Sequence, residues 1–117
     1  MAHAHPVPDR PWGWRSMWVI AMFDLPVGTP KERKDYTKFR KNLLEDGFAM
    51  MQYSVYSRHC ASIDNAETHV SRMGNVVPPE GEVRFLTITD KQFSRIKAYA
   101  GKKWQPTSPS PAQLEFF

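Results

Sequence analysis

Between Met17 and Leu25 the chain reads Met-Trp-Val-Ile-Ala-Met-Phe-Asp-Leu, an apolar, β-favouring run that meets one carboxylate, Asp24, and is stopped by Pro26. It has no 3.6-residue period, so it predicts a strand buried on both faces and therefore central in its sheet. Helical periodicity begins next. Thr29-Pro30-Lys31-Glu32 has the form of a capping box with proline at the first helical position. Tyr36, Phe39, Leu43 and Leu44 then share one face, and Gly47 supplies a stop. Phe48–Ser57 is β-prone, alternates at Tyr53, Val55 and Ser57, and is long enough to bend near Gln52 or divide into two strands. Arg58 and His59 close it. A second, shorter helix is expected from a capping box at Asp64-Asn65-Ala66-Glu67, with a stripe of Ile63, Ala66, Val70 and Met73 running to Gly74.

Pro78-Pro79-Glu80-Gly81 marks a turn, and Val83–Thr89 reads as the next strand. Asp90-Lys91-Gln92 reads as a hairpin connection into a strand over Phe93–Tyr99, where Arg95 and Lys97 alternate with Ile96 and Ala98. Residues 101–111 are rich in Lys, Ser and Pro, as a linker would be, and 112–117 return to strand character. A last strand on so long a tether is expected to pair with a distant edge or another chain. Residues 1–16, with His3, His5, Trp12 and Trp14, read as an extended arm. The expected division is an arm at 1–16, a domain at 17–100, a linker at 101–111 and a C-terminal strand at 112–117.

The order β-α-β(β)-α-β-β predicts an α+β sandwich of the split β-α-β kind, with helices on one sheet face. Met22, Met50, Val55 and Leu86 leave the other face apolar. Stacking two such faces in a homodimer is the natural way to bury them.

Composition narrows the function. At 117 residues and 41% hydrophobic content the chain suits one globular domain. No run approaches the roughly 20 apolar residues of a membrane-spanning helix, and the N-terminus lacks the order of a secretory signal. One cysteine, Cys60, cannot form an internal disulfide, which favours a reducing cytoplasm and a buried thiol. A net charge of +4 and a pI near 9.4 favour a polyanionic partner such as nucleic acid. The excess of Lys and Arg over the first turns of the first helix lies close to the loop after Asp24 and suits phosphate contact.

Chemistry centres on Asp24. Ahead of Pro26 and Gly28 it has the position of a turn-former, and at a strand end it also has that of a metal ligand. There is no Cys/His zinc spacing, Gly-rich phosphate loop, Gly-x-Ser-x-Gly turn or RNA-recognition aromatic signature. One carboxylate holds a catalytic ion poorly, whereas a dimer axis bringing two copies of Asp24 together would supply two. Mg²⁺ commonly takes one or two carboxylates and completes its octahedron with water and phosphate oxygens. Such an ion polarises a phosphodiester and activates water.

Three segments together carry a family resemblance: Val19–Pro26, Phe39–Leu44, and Gly47-Phe48 followed by Gln52–Tyr56. With Thr87–Phe93, they make the chain similar to the small CRISPR-associated adaptation protein, the non-integrase partner in the complex that inserts new spacers. The pattern is nearest to members that accompany single-effector systems. The resemblance implies a ferredoxin-like homodimer with an extra C-terminal strand and Asp24 as the metal-binding, catalytic aspartate, with Mg²⁺ or Mn²⁺. It implies a module that bridges integrase dimers and holds double-stranded DNA by its backbone. Lys38, Lys41, Arg58, Arg95 and Lys97 are its candidate contacts, and Leu114, Phe116 and Phe117 would dock the integrase. The alternative is a Mg²⁺-dependent, toxin-like endoribonuclease acting on single-stranded RNA. Met50 and Met51 stand where some relatives carry an arginine, which weighs against strong nuclease activity.

Overall fold

In the computed structural model, which describes residues 15–105, the chain runs in nine elements. They are β1 (Met17–Asp24), α1 (Pro30–Glu45), β2 (Ala49–Gln52), β3 (Val55–Cys60), α2 (Ile63–Gly74), β4 (Glu82–Thr89), α3 (Asp90–Ser94), β5 (Ala98–Ala100) and β6 (Lys103–Gln105). The first four strands form one antiparallel sheet in the order β2-β3-β1-β4, which puts β1 inside as its composition requires. This is a ferredoxin-like α+β arrangement.

Strand alternation divides β1 between two environments. Met17, Val19, Ala21 and Phe23, with Leu25 just beyond, join the main core beneath α1 and α2, where Phe39, Leu43, Ala66 and Met73 meet Tyr56 and Cys60 of β3. Burying each large apolar side chain here contributes about 1.5–3 kcal/mol. Leu44, expected on the same helix face, is exposed. Helix α1 starts on the expected capping box: Glu32 N–H donates to Thr29 Oγ1 at 3.1 Å and Thr29 N–H to Glu32 Oε1 at 3.0 Å. It ends in a Schellman turn, with Phe48 N–H on Leu43 O and Gly47 N–H on Leu44 O. Gly47 has φ +93°, and a Cβ there would lie 2.9 Å from Arg58 Nε, so the stop is tied to β3 as well as to the helix.

The structure corrects four expectations. Residues 48–57 take the divided form of the two expected, with β2 and β3 meeting at Tyr53-Ser54, where Ser54 has φ +65°, but Arg58 and His59 lie within β3 instead of closing it. Helix α2 is capped by Ser62, whose side chain accepts from Asn65 N–H, so the box expected at Asp64 does not form. Residues 90–94 are a helical turn and not a hairpin, because Thr89 and Gln92 make a reciprocal capping box. The expected linker begins with β6, which pairs with β5.

Helix α3 folds over the sheet's second face. Phe93 stacks on Trp18 with ring centroids 3.9 Å apart and planes 7° off parallel. The two residues and Ile20 form a second small core, with Val55, Ile88 and Ile96 packed around it. Trp18 Nε1 donates to Asp90 Oδ1 at 2.6 Å, so the indole is satisfied while buried. A segment expected to add a strand is therefore a cover for half of the open face.

Candidate functional site

The rest of that face is bare. Down β1 the same parity continues from Trp18 and Ile20 to Met22 and Asp24, and both of these are exposed. On β4 the residues in register with them are Leu86 opposite Ile20, Arg84 opposite Met22, and Glu82 opposite Asp24. Leu86 is 47% exposed. An apolar strip therefore runs from the α3 cover to a polar corner of Asp24, Glu82 and Arg84.

The backbone holds this corner firmly. Phe23 N–H donates to Ser54 O at 3.0 Å, which ties the end of β1 to the β2–β3 turn. Gly81, at φ +94°, brings the start of β4 so close that a Cβ would lie 2.7 Å from Leu25 Cδ2 and 2.8 Å from Asp24 O. Only glycine combines that φ with that approach. Asp24 thus projects from a rigid strand end. Among the described residues no hydrogen bond or ion pair engages its carboxylate. Glu82 accepts from Arg84 Nε at 3.1 Å. Two carboxylates at directly opposed positions repel one another, and the neighbouring guanidinium offsets part of that.

These groups are hard oxygen donors of the kind Mg²⁺ and Mn²⁺ take. No group of three or more His, Cys, Asp and Glu capable of holding a metal occurs among the described residues. The chain thus offers Asp24 and the adjacent Glu82, a set that suits an ion drawing its remaining ligands from water and phosphate.

The other sequence-derived candidates scatter. Lys38 and Lys41 lie on the solvent face of α1. Arg95 is the C-cap of α3, and Lys97 follows it in the exposed connection to β5. Arg58 is not a free surface cation: its Nε donates to Asp46 O at 2.7 Å and its Nη1 to His59 O at 2.6 Å. It caps the carbonyl end of α1, a structural duty that sequence position did not reveal. Leu114, Phe116 and Phe117 lie outside the described residues.

Three features were missed in the sequence. Glu82 and Arg84 are brought beside Asp24 only by the β1–β4 register. Asp46 is buried between helices, where its Oδ2 meets His69 Nδ1 at 2.7 Å and its Oδ1 accepts from Arg72 Nη1 at 2.6 Å. Asp90 joins Trp18, with His59 Nε2 3.8 Å from the same carboxylate oxygen. The last two are fold-holding networks. Burial also pushes the Cys60 thiol above its ordinary range, against the opposing pull of Arg58, which makes it a poor nucleophile.

Comparison with known proteins agrees with this geometry. The family model described as CRISPR associated protein Cas2 matches residues 17–96, from the first residue of β1 through the α3 cover. A Parvibaculum lavamentivorans protein named CRISPR-associated endoribonuclease Cas2 is 76% identical over 101 residues, 86% of this chain and 100% of its own length. Proteins of the same name from Flavobacterium psychrophilum and Paracidovorax avenae are 48% and 42% identical, covering 89% and 90% of this chain and 90% and 97% of their own. A match that spans the whole sheet and carries Asp24 at its rim leaves one assignment: the chain belongs to the Cas2 family of CRISPR-associated proteins.

Proposed function

We propose that this chain is the homodimeric, non-integrase subunit of a spacer-acquisition complex, bridging integrase dimers and holding a DNA duplex by its backbone. The observation that carries the reading is the half-covered face: Met22 and Leu86 stay exposed on an apolar strip that ends at the polar corner of Asp24, Glu82 and Arg84. Two copies stacked on that surface would bury it and bring two Asp24 carboxylates toward a shared axis. Lys38, Lys41, Arg95 and Lys97 are the cations assigned to phosphate. Contacts of that kind set affinity and register with little base readout. Leu114, Phe116 and Phe117 would dock the integrase as an added strand. A lone thiol and this partner set suit the cytoplasm.

Asp24 would hold Mg²⁺ or Mn²⁺, with Glu82 as a neighbouring oxygen donor. When bound, the ion supplies phosphodiester polarisation and an activated water. The chain's own part is to fix the carboxylate at a strand end and to keep a guanidinium, Arg84, alongside for phosphate charge. A second reading is a metal-dependent endoribonuclease whose main role is catalysis on single-stranded RNA. The names of the relatives favour it.

Asp24→Ala separates the two. Spacer integration, measured with the integrase subunit and a labelled duplex, is expected to persist, while cleavage of RNA or DNA falls to background. Loss of integration by a variant with an unchanged circular dichroism spectrum would transfer the weight to the enzymatic reading. A protein that sediments as a monomer would remove the bridging role altogether.

A further inference from the structure

Strands β5 and β6 form a hairpin separate from the main sheet, closed by Gly101-Lys102. Ala98 faces Gln105, Tyr99 faces Trp104 and Ala100 faces Lys103. Directly opposed residues project to the same side of a ladder, so Tyr99 and Trp104 stand together. They are 63% and 54% exposed. A two-stranded hairpin is marginal in water, and two open rings on one call for an occupant.

Charge identifies its class. Of the 16 Lys and Arg in the chain, five fall within residues 91–105, which contain no Asp or Glu; without them the chain would hold one more acid than base. Residues 91–105 are thus a strongly basic stretch, as are the first turns of α1. Lys97 and Lys102, both exposed, flank the ring-bearing strand. Open aromatic faces interleaved with cations suit a polymer that alternates bases and phosphates. In a duplex the base faces are already covered by their neighbours, so the rings fit unpaired bases. The hairpin and the residue leading into it carry Lys97, Lys102 and Lys103 and no acid, so a second copy of it would meet like charge, which disfavours self-docking here.

We propose that the β5–β6 hairpin is a stacking platform for the bases of a single-stranded nucleic acid, with Tyr99 and Trp104 taking the bases and Lys97 and Lys102 the phosphates. It shares the polymer class of the preceding reading and is independent of Asp24. Stacking on such rings is worth about tenfold in affinity per base.

The test uses the full chain with three probes: oligo(dT) of about 15 nucleotides, close to the usual site size, an abasic strand of the same length, and a duplex. Wild type should bind oligo(dT) more tightly than the abasic strand and lose tryptophan emission as it does. Tyr99→Ala/Trp104→Ala should weaken oligo(dT) binding about tenfold or more and leave abasic and duplex binding unchanged. Trp104→Phe, which keeps a ring, should retain most of the affinity and lose the emission change. Equal wild-type affinity for oligo(dT) and the abasic strand would overturn the proposal. So would a double variant that binds oligo(dT) like wild type. A double variant that sediments as a smaller species and loses all three probes would assign the rings to a contact between copies. Base-dependent binding without duplex binding would uphold this inference and defeat the duplex-holding role.

Discussion

The open face of the sheet has an acid at each end of β1, and the two ends are finished differently. At the Trp18 end, Asp90 accepts the indole proton and α3 lays Phe93 over the strand. At the Asp24 end the carboxylate is exposed and Met22 beside it is uncovered. Asp90, itself partly exposed, holds the proton of a buried indole; Asp24, at a braced strand end, engages no hydrogen bond or ion pair among the described residues. The contrast marks the Asp90 end as structure and leaves the Asp24 carboxylate without a fold-holding duty among the described residues.

The contrast can be broken most forcefully at Trp18. Trp18→Ala removes the ring that Phe93 covers and should lower stability by about 3–5 kcal/mol in urea unfolding. A loss within about 1 kcal/mol would mean that the α3 cover is no part of the cooperative fold. The next effect sharpens the contrast between the acids themselves. Asp90→Ala strands the buried indole N–H and should cost about 1–3 kcal/mol, whereas Asp24→Ala should stay within about 0.5 kcal/mol of wild type. Equal losses would erase the distinction.

The smallest effect reports the covered face. Cys60, under α2, should react with a thiol reagent far more slowly folded than unfolded. Its raised folded-state pKa means that the unfolded chain gives up the thiol proton first. Stability should therefore be unaffected below the ordinary value of 9.0 and decline as pH rises past it. In Cys60→Ala that decline should be shallower in alkaline denaturant titrations. An identical slope in the two proteins would show the thiol to be no more protected than in the unfolded chain.

Much of the architecture was legible in residue order. The unbroken apolar run placed β1 at the centre, the Thr29–Glu32 box and Gly47 bounded α1, and Pro78–Gly81 announced β4. Where the reading failed, a competing local signal was usually present. Thr89-x-x-Gln92 is itself a capping box, but the alternation of Arg95 and Lys97 with Ile96 and Ala98 hid it. Ser62, two positions before Asp64, is the better-placed N-cap because its hydroxyl reaches Asn65 N–H. Arg58 shows the opposite limit: nothing local marks it as a cap for a helix whose C-cap residue, Asp46, lies twelve residues earlier.

By itself, then, the sequence determined the elements from β1 to β4, the central place of β1 and the carboxylate at its end, because periodicity and capping are properties of neighbours along the chain. Only the folded chain decided which acid is bare, which faces Trp18, and that Glu82 and Arg84 stand beside Asp24. Those relations depend on strand register and on which segment folds over which face. Both are set by packing between residues far apart in the chain, and a one-residue slip in register would reverse every one of them.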